Sequence, residues 1–362
     1  MGAFHTAQAA RGIPRNDLPR WTAPAPRELH AVRDGLAKYL LSTDALMYTA
    51  ALVGSGAGTL TPPAPTPLAS AMILHTEEHR RLTSARLFYF TPAMTDLAVT
   101  AGAQLPDWDV DPRDVPADQG FMLFGEPIGG YRNNDGDAVS IVACSWGRSM
   151  AESSQGGVWV TFWSQTLYGQ LIEGLRKWHS LADATRIARA GRAELTWDNE
   201  VLLGWHASDI RVANGRSYVP SEGGVLAAES TIGWAQIVRA AWLLTQQRDM
   251  ADVTELHLSK GTYRRAVRDG CNPASIRVVD ICRSSAPRKS DTTATGRPIG
   301  VRYFVDGYWR QQPYGPGRSL RERRYVRGGW RGPEDAPLSP YIKVNLVAAD
   351  GDSRPVGSEG RG

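Results

Sequence analysis

The stretch ARLFYFTPAMTDLA, residues 85–98, decides the fold class. Leu87 to Phe90 is a short apolar and aromatic run with the composition of a buried strand. Before it LASAMILHTEEHRRLTSA reads as a helix, and after it AMTDLAVTAGAQL reads as another. Helix, strand and helix in succession imply an α/β layer.

Outward on the amino side, residues 27–52 place Leu29, Val32, Leu36, Tyr39 and Leu40 on one face at helical spacing, which predicts one or two packed helices. The first 26 residues, rich in Pro and Arg and without periodicity, read as a flexible lead-in. On the carboxyl side, FMLF (121–124), VSIVACSW (139–146) and VWVTFW (158–163) are β-branched or aromatic runs that should be neighbours in one sheet. NNDGD, between the first two, carries the Asp-Gly signal of a tight reversal. LIEGLRKWHSLADATRIARAG is helical by spacing. TIGWAQIVRAAWLLTQQ is a strongly apolar helix whose Trp234, Ile237, Val238, Ala241 and Trp242 should pack inward. VTELHLS, TYRRAVRDG and SIRVVDIC then form a β-α-β sequence, with Gly270 placed to cap the helix.

A polar break, SSAPRKSDTTATGR, precedes a segment of β character: VRYFVDGYWRQQ, the turn PYGPG, RRYVRGGWRG and the alternating YIKVNLV. The expected organisation is a lead-in over 1–26, an α/β main domain over 27–283, a linker or exposed loop over 284–298, a small basic β unit over 299–347 and a disordered tail over 348–362. The fold class is α/β (α+β): a mixed sheet with packed helices, plus a small antiparallel β unit.

A chain of 362 residues with 42% hydrophobic and 22% charged residues has ordinary globular composition and can bury a core. Cys144, Cys271 and Cys282 are far apart and form no CxxC pair, so neither a disulfide framework nor a zinc knuckle is expected. The reading is a reducing, cytoplasmic compartment. No apolar run approaches the roughly 18 residues of a membrane-spanning helix, and no membrane partner is expected. MGAFHT fits the loose pattern for myristoylation, a short signal. The cations are 36 Arg and 5 Lys, so arginine is abundant everywhere. Charge is nevertheless localised: residues 297–335 hold nine Arg against Asp306, Glu322, Glu334 and Asp335.

AWLLTQQ (241–247), TYRRAVRDG, SIRVVDIC, GYWRQQPYGPG and RGPEDAPL with its closing apolar strand resemble a group of proteins encoded in actinobacterial phages, plasmids and integrated elements. ARLFYFTPAMTDLA and LPDW extend the resemblance over most of residues 85–347. It implies a mobile-element context and carries no agreed activity or catalytic residues.

Four stretches bear on chemistry. His75, Glu78 and His79 match H-x-x-E-H, in which two histidines on one helix face bind zinc and the glutamate polarises a water; Glu152 is the carboxylate to test as third ligand. The alternative is a solvated amphipathic helix in which Met72, Ile73 and Leu82 serve the core and HTEEHRR faces water. Asp107, Asp109, Asp111 and Asp118 follow calcium-loop spacing, but Pro112 stands where that loop needs Gly, and turn formation is the simpler use. GSGAG (54–58) lacks the Lys-Ser/Thr of a phosphate loop, and His179, His206 and His257 have no evident nucleophile. No motif names a reaction, and no cofactor is expected.

The fourth stretch is YWRQQPYGPGRSLRERRYVRGGWRG, residues 308–332. Arg310, Arg318, Arg321, Arg323, Arg324, Arg327 and Arg331 could neutralise phosphates, and Trp309, Tyr325 and Trp330, with Tyr308 and Tyr314, could stack on bases. On a hairpin, Arg323, Tyr325 and Arg327 would share one face. The expectation is contact with DNA or RNA through this ribbon. The alternatives are a protein-contact or structural role without nucleic acid, and a zinc-dependent hydrolase using HTEEH.

Overall fold

Leu87 to Phe90 is the middle of a sheet, as its composition requires: Arg86–Phe90 is paired on both sides and buried from Leu87 onward. The computed structural model describes residues 13–54, 64–132, 137–148, 156–190, 194–206, 210–212, 216–217, 231–282, 301–333 and 335–338. In chain order they form α1 (Leu29–Leu40), α2 (Thr43–Gly54), α3 (Pro67–Ser84), β1 (Arg86–Phe90), α4 (Pro92–Ala103), β2 (Gly120–Phe124), β3 (Gly129–Arg132), β4 (Ala138–Arg148), β5 (Val158–Gln165), α5 (Tyr168–Leu175), α6 (Leu181–Ala190), β6 (Leu195–Leu203), β7 (Ile210–Val212) and β8 (Arg216–Ser217). There follow α7 (Thr231–Thr245), β9 (Ala251–Leu256), α8 (Lys260–Arg268), β10 (Ile276–Ile281), β11 (Tyr303–Val305), β12 (Tyr308–Tyr314), β13 (Leu320–Val326) and β14 (Gly329–Arg331).

Ten strands make one mixed sheet in the order β8-β7-β6-β5-β4-β2-β1-β10-β9, with β3 also paired to β4. β2, β1 and β10 are parallel; the strands on either side join antiparallel. Both faces are covered because side chains alternate along each strand. Phe88 and Phe90, with Met122, Trp146 and Phe162, meet α4 and α7. Leu87 and Tyr89, with Phe121, Ala143 and Trp163, meet α1 and α3. The mixed α/β class expected from sequence is the class observed, with a β ribbon near the carboxyl end.

Helix α7 is buried at every residue from Gly233 to Leu244, beyond the five positions its period suggested. It crosses α4 at Gly102, where a Cβ would lie 2.6 Å from the Ile237 Cα, so only glycine allows the approach. Gly270 follows α8 at φ +70°, the left-handed position expected of a helix-ending glycine.

Two details differ from the sequence expectation. FMLF, VSIVACSW and VWVTFW are adjacent as β2, β4 and β5, but a further strand, β3, stands between FMLF and the NNDGD stretch and pairs with β4; residues 133–136 of that stretch lie outside the described residues. Residues 13–26, expected as a flexible lead-in, are tied down: Ile13 is buried, the Arg15 Nε donates to the Pro127 carbonyl (2.7 Å) and the Trp21 indole donates to the Phe124 carbonyl (2.9 Å).

The chain divides into two compact units along lines other than those expected. The larger holds residues 1–289 and 307–327, so the β12–β13 ribbon belongs with the main sheet. The smaller holds 290–306 and 328–362, including the short pair β11–β14. The linker over 284–298, the YIKVNLV strand and the tail over 348–362 lie outside the described residues.

Candidate nucleic-acid interface

Strands β12 and β13 pair antiparallel, Tyr308 opposite Val326, Trp309 opposite Tyr325, Arg310 opposite Arg324, Gln311 opposite Arg323 and Tyr314 opposite Leu320. The face carrying Trp309, Arg323 and Tyr325 is the one that packs on the body, which corrects the expectation that Arg323 and Tyr325 project to a ligand. Trp309 and Tyr325 are 8% and 2% exposed; their rings lie 5.2 Å apart in the core with α4 and α7. The Trp309 indole donates to the Ala101 carbonyl (2.7 Å), and the Tyr325 amide donates to Gln247 Oε1 (3.0 Å). These partners are needed because a buried indole or amide without an acceptor costs about 1–3 kcal/mol.

Arg323 is paired with Asp114 and lies over the Trp108 ring, and Arg324 is paired with Asp249 at 2.6 Å. Neither is available to phosphate without breaking an ion pair. The same cations explain the aspartate-rich loop. Asp111 caps the short helix Pro112–Asp114 and binds Arg113, while the buried Arg239 holds the Trp108 and Asp109 carbonyls. The loop is a clamp of turns on arginines, the use its Asp and Pro content suggested.

What remains exposed is Tyr308, Arg310 and Tyr314 on the opposite face, Arg318 in the turn, Arg321 near the turn and Arg327 just beyond the end of β13. Tyr308 and Tyr314 are 46% and 41% exposed. Arg318 sits at φ +55° in the turn, an uncommon conformation for a residue with a Cβ. Among the described residues no carboxylate lies within ion-pair distance of Arg310, Arg318, Arg321 or Arg327. Trp330 and Arg331 belong to the smaller unit, where Trp330 meets Phe304 edge to face and takes Arg302 over its ring. The ten predicted contact residues therefore separate into an anchoring set (Trp309, Arg323, Arg324, Tyr325), a displayed set (Arg310, Arg318, Arg321, Arg327) and a pair in the other unit.

The HTEEH segment is placed differently from both sequence readings. Met72 and Ile73 are exposed, whereas His75, Glu78 and Arg81 are buried. The Leu40 carbonyl can only accept, so His75 Nδ1 carries the proton (2.8 Å) and Nε2 accepts from the Thr49 hydroxyl (2.7 Å). Burial lowers the His75 pKa, which favours the neutral ring. Both nitrogens are thus engaged and none is left for zinc. The ring stacks on Trp197. His79 Nδ1 meets the Ala37 carbonyl (3.1 Å). Glu152 lies outside the described residues, and among those described no group of three His, Cys, Asp or Glu could hold a metal ion.

Glu78 is the centre of a closed network. Arg81 donates to Oε2 (2.8 Å from Nε), Thr161 Oγ1 donates to Oε2 (2.9 Å) and Ser145 Oγ donates to Oε1. The hydroxyls in turn accept from indoles, Trp159 Nε1 to Thr161 (3.0 Å) and Trp163 Nε1 to Ser145 (2.9 Å). Arg81 lies over the Trp159 ring. A buried acid with donors on both of its oxygens suits holding α3 on the sheet better than chemistry. Cys144, next to Ser145 in β4, is wholly buried; burial first and the Glu78 charge second push its thiol well up, away from the thiolate that reacts.

A shallow groove of about 500 Å³ at the end of α7, lined in part by Arg248, Asp252, Arg277 and Cys282, contains none of the predicted residues. No helix among the described residues is long and apolar enough to cross a membrane. Comparison with protein-family models, curated proteins and solved structures gives no match.

Proposed function

We propose that the protein contacts nucleic acid through the displayed face of the β12–β13 ribbon. The observation that carries this is the cross-strand pair Arg310–Arg324. Like charges directly opposite one another destabilise a hairpin. Asp249 offsets Arg324, but Arg310 makes no ion pair among the described residues, and on the same face stand the exposed rings of Tyr308 and Tyr314. A phosphate beside Arg310 relieves the repulsion, and the rings offer surfaces for bases. Arg318 and Arg321 at the turn extend the positive edge. The context is a phage, plasmid or other mobile element, as the resemblance of residues 85–347 implies.

The test is fluorescence anisotropy of labelled single- and double-stranded DNA and RNA across a salt series, beside a variant with Arg310, Arg318, Arg321 and Arg327 changed to Ser. Each phosphate contact contributes about 0.7–0.9 to the log–log salt slope, so loss of four should lower it by about 3. Equal binding by both proteins, or none by either, rejects the reading. A second reading, protein contact without nucleic acid, draws on Phe304 and Trp330 in the smaller unit, each more than half exposed; Trp330→Ser would then abolish a complex and leave the anisotropy series unchanged.

A further inference from the structure

Helix α8 is held in place without a core face. Of its nine residues only Ala266 is buried, while Tyr263 and Val267 are about half exposed. A helix this short is marginal unless packed or bound at its ends. Here the ends do the holding. The Ser259 hydroxyl caps the first turn by accepting from the Thr262 amide (3.2 Å). Gly270 turns the chain away, and Asn272 fixes the exit by donating to the Thr83 carbonyl (2.6 Å) and, through its side chain, to the Ser84 carbonyl (3.0 Å).

What this helix shows to water is Lys260, Arg264, Arg265 and Arg268, with no acid among its nine residues. Ala266 marks the inward side. At 3.6 residues per turn Arg264 lies nearly opposite it, flanked by Lys260 and Arg268 one turn away in each direction. Among the described residues only Arg268 of these four is in an ion pair, with Asp269, which is shared with Lys38. Like charges four residues apart repel along a helix, so Lys260, Arg264 and Arg268 oppose the fold of the segment that carries them. An anionic partner removes that repulsion. The three lie on one line at steps of about 6 Å, a row of fixed cations suited to the regularly repeated charges of a phosphodiester backbone.

We infer that α8 is a second phosphate-contacting element, independent of the β12–β13 ribbon. The inference rests on the nucleic-acid reading above and deepens it: the partner must be long or bent enough to meet a helix and a ribbon that share no residue.

The experiment compares the full-length protein, the ribbon variant (Arg310, Arg318, Arg321 and Arg327 to Ser) and an α8 variant, Lys260→Gln, Arg264→Gln, Arg268→Gln. Gln keeps helix propensity, and circular dichroism with a thermal melt checks the fold. Each is titrated with a labelled 20-base-pair duplex, a 20-base single strand and phosphatidylserine vesicles over a salt series. The α8 variant should lose about 2–3 units of salt slope on nucleic acid and at least tenfold in affinity at low salt, and Arg264→Glu alone should lose more than Arg264→Gln. An unchanged slope in the α8 variant while the ribbon variant loses its own overturns the role of α8 and leaves the ribbon reading standing. Loss confined to the α8 variant supports α8 and rejects the ribbon. No binding by the full-length protein to either oligonucleotide rejects both. Vesicle binding that depends on α8, without any change on nucleic acid, assigns the helix to a lipid surface and overturns the inference.

Discussion

Glu78 and Arg81 show what a single buried pair does here. Replacing Glu78 by Gln leaves the Arg81 cation without its counter-ion and takes the anionic acceptor from Ser145 and Thr161. Breaking a buried pair on one side costs about 3–5 kcal/mol, so Glu78→Gln should unfold at much lower denaturant, and adding Arg81→Met should recover part of the loss. His30 gives a pH dependence. Its Nε2–H donates to the Ala274 carbonyl (3.1 Å) while Arg33 donates to Nδ1 (3.1 Å). Burial first, and the Arg33 charge second, lower its pKa to about 4. The folded value lies below the ordinary 6.5, so the unfolded chain takes up the proton first. Stability from this residue is complete above about pH 6.5 and is lost as pH falls towards 4, on the order of 3 kcal/mol in all. Urea unfolding at pH 7 and pH 4.5 should show that part of the loss disappearing in His30→Gln. None of this was legible in HTEEH. The helix carries an apolar stripe with Met72 and Ile73 and a polar stripe with His75 and Glu78, and periodicity does not say which faces the sheet. The available signal lay elsewhere: Ser145 and Thr161 are hydroxyls inside otherwise apolar strands, and buried hydroxyls need a partner.

At the level of elements, the α4–α7 crossing depends on Gly102. Gly102→Ala should lower the melting temperature by several degrees, because the Ile237 backbone, and no flexible side-chain tip, occupies the space. The ribbon depends on Trp309. Trp309→Ala removes a core ring and the bond to Ala101, a change worth about 3–5 kcal/mol for a buried Trp, and should expose β12 and β13 to rapid hydrogen exchange. The existence of this hairpin was readable from its turn and strand composition, but its orientation was not. Both faces carry an aromatic residue and an arginine at period two, so only contact with α4 and α7 decides which is inward. β3 was missed for a related reason: Gly129, Gly130, Tyr131 and Arg132 form a strand with half its residues glycine, and such a segment has no β signal of its own.

At the scale of the molecule, the α/β class followed from one helix-strand-helix succession, whereas the strand order did not. β1 lies between β2 and β10, and its partners in β10 stand about 190 residues away in sequence, Leu87 opposite Ile276, a pairing that local pattern does not encode. The division into units carries its own prediction. A chain ending at Arg327 keeps all of the larger unit and should melt within a few degrees of the full protein, whereas one ending at Asp306 loses Trp309 and Tyr325 and should melt lower and aggregate. Calorimetry of the two truncations checks this.

The late position of Trp309 and Tyr325 also sets a timetable. Ribosomes release the chain amino end first at about 5–20 residues per second. Roughly 80 residues therefore separate the emergence of α7 from that of Tyr325, a delay of about 4–16 s during which the apolar flank of α4 and α7 waits without its cover. A nascent protein built in this way leaves that apolar flank uncovered for seconds, and its yield in a cell should respond to chaperones that hold such surfaces until the ribbon has emerged.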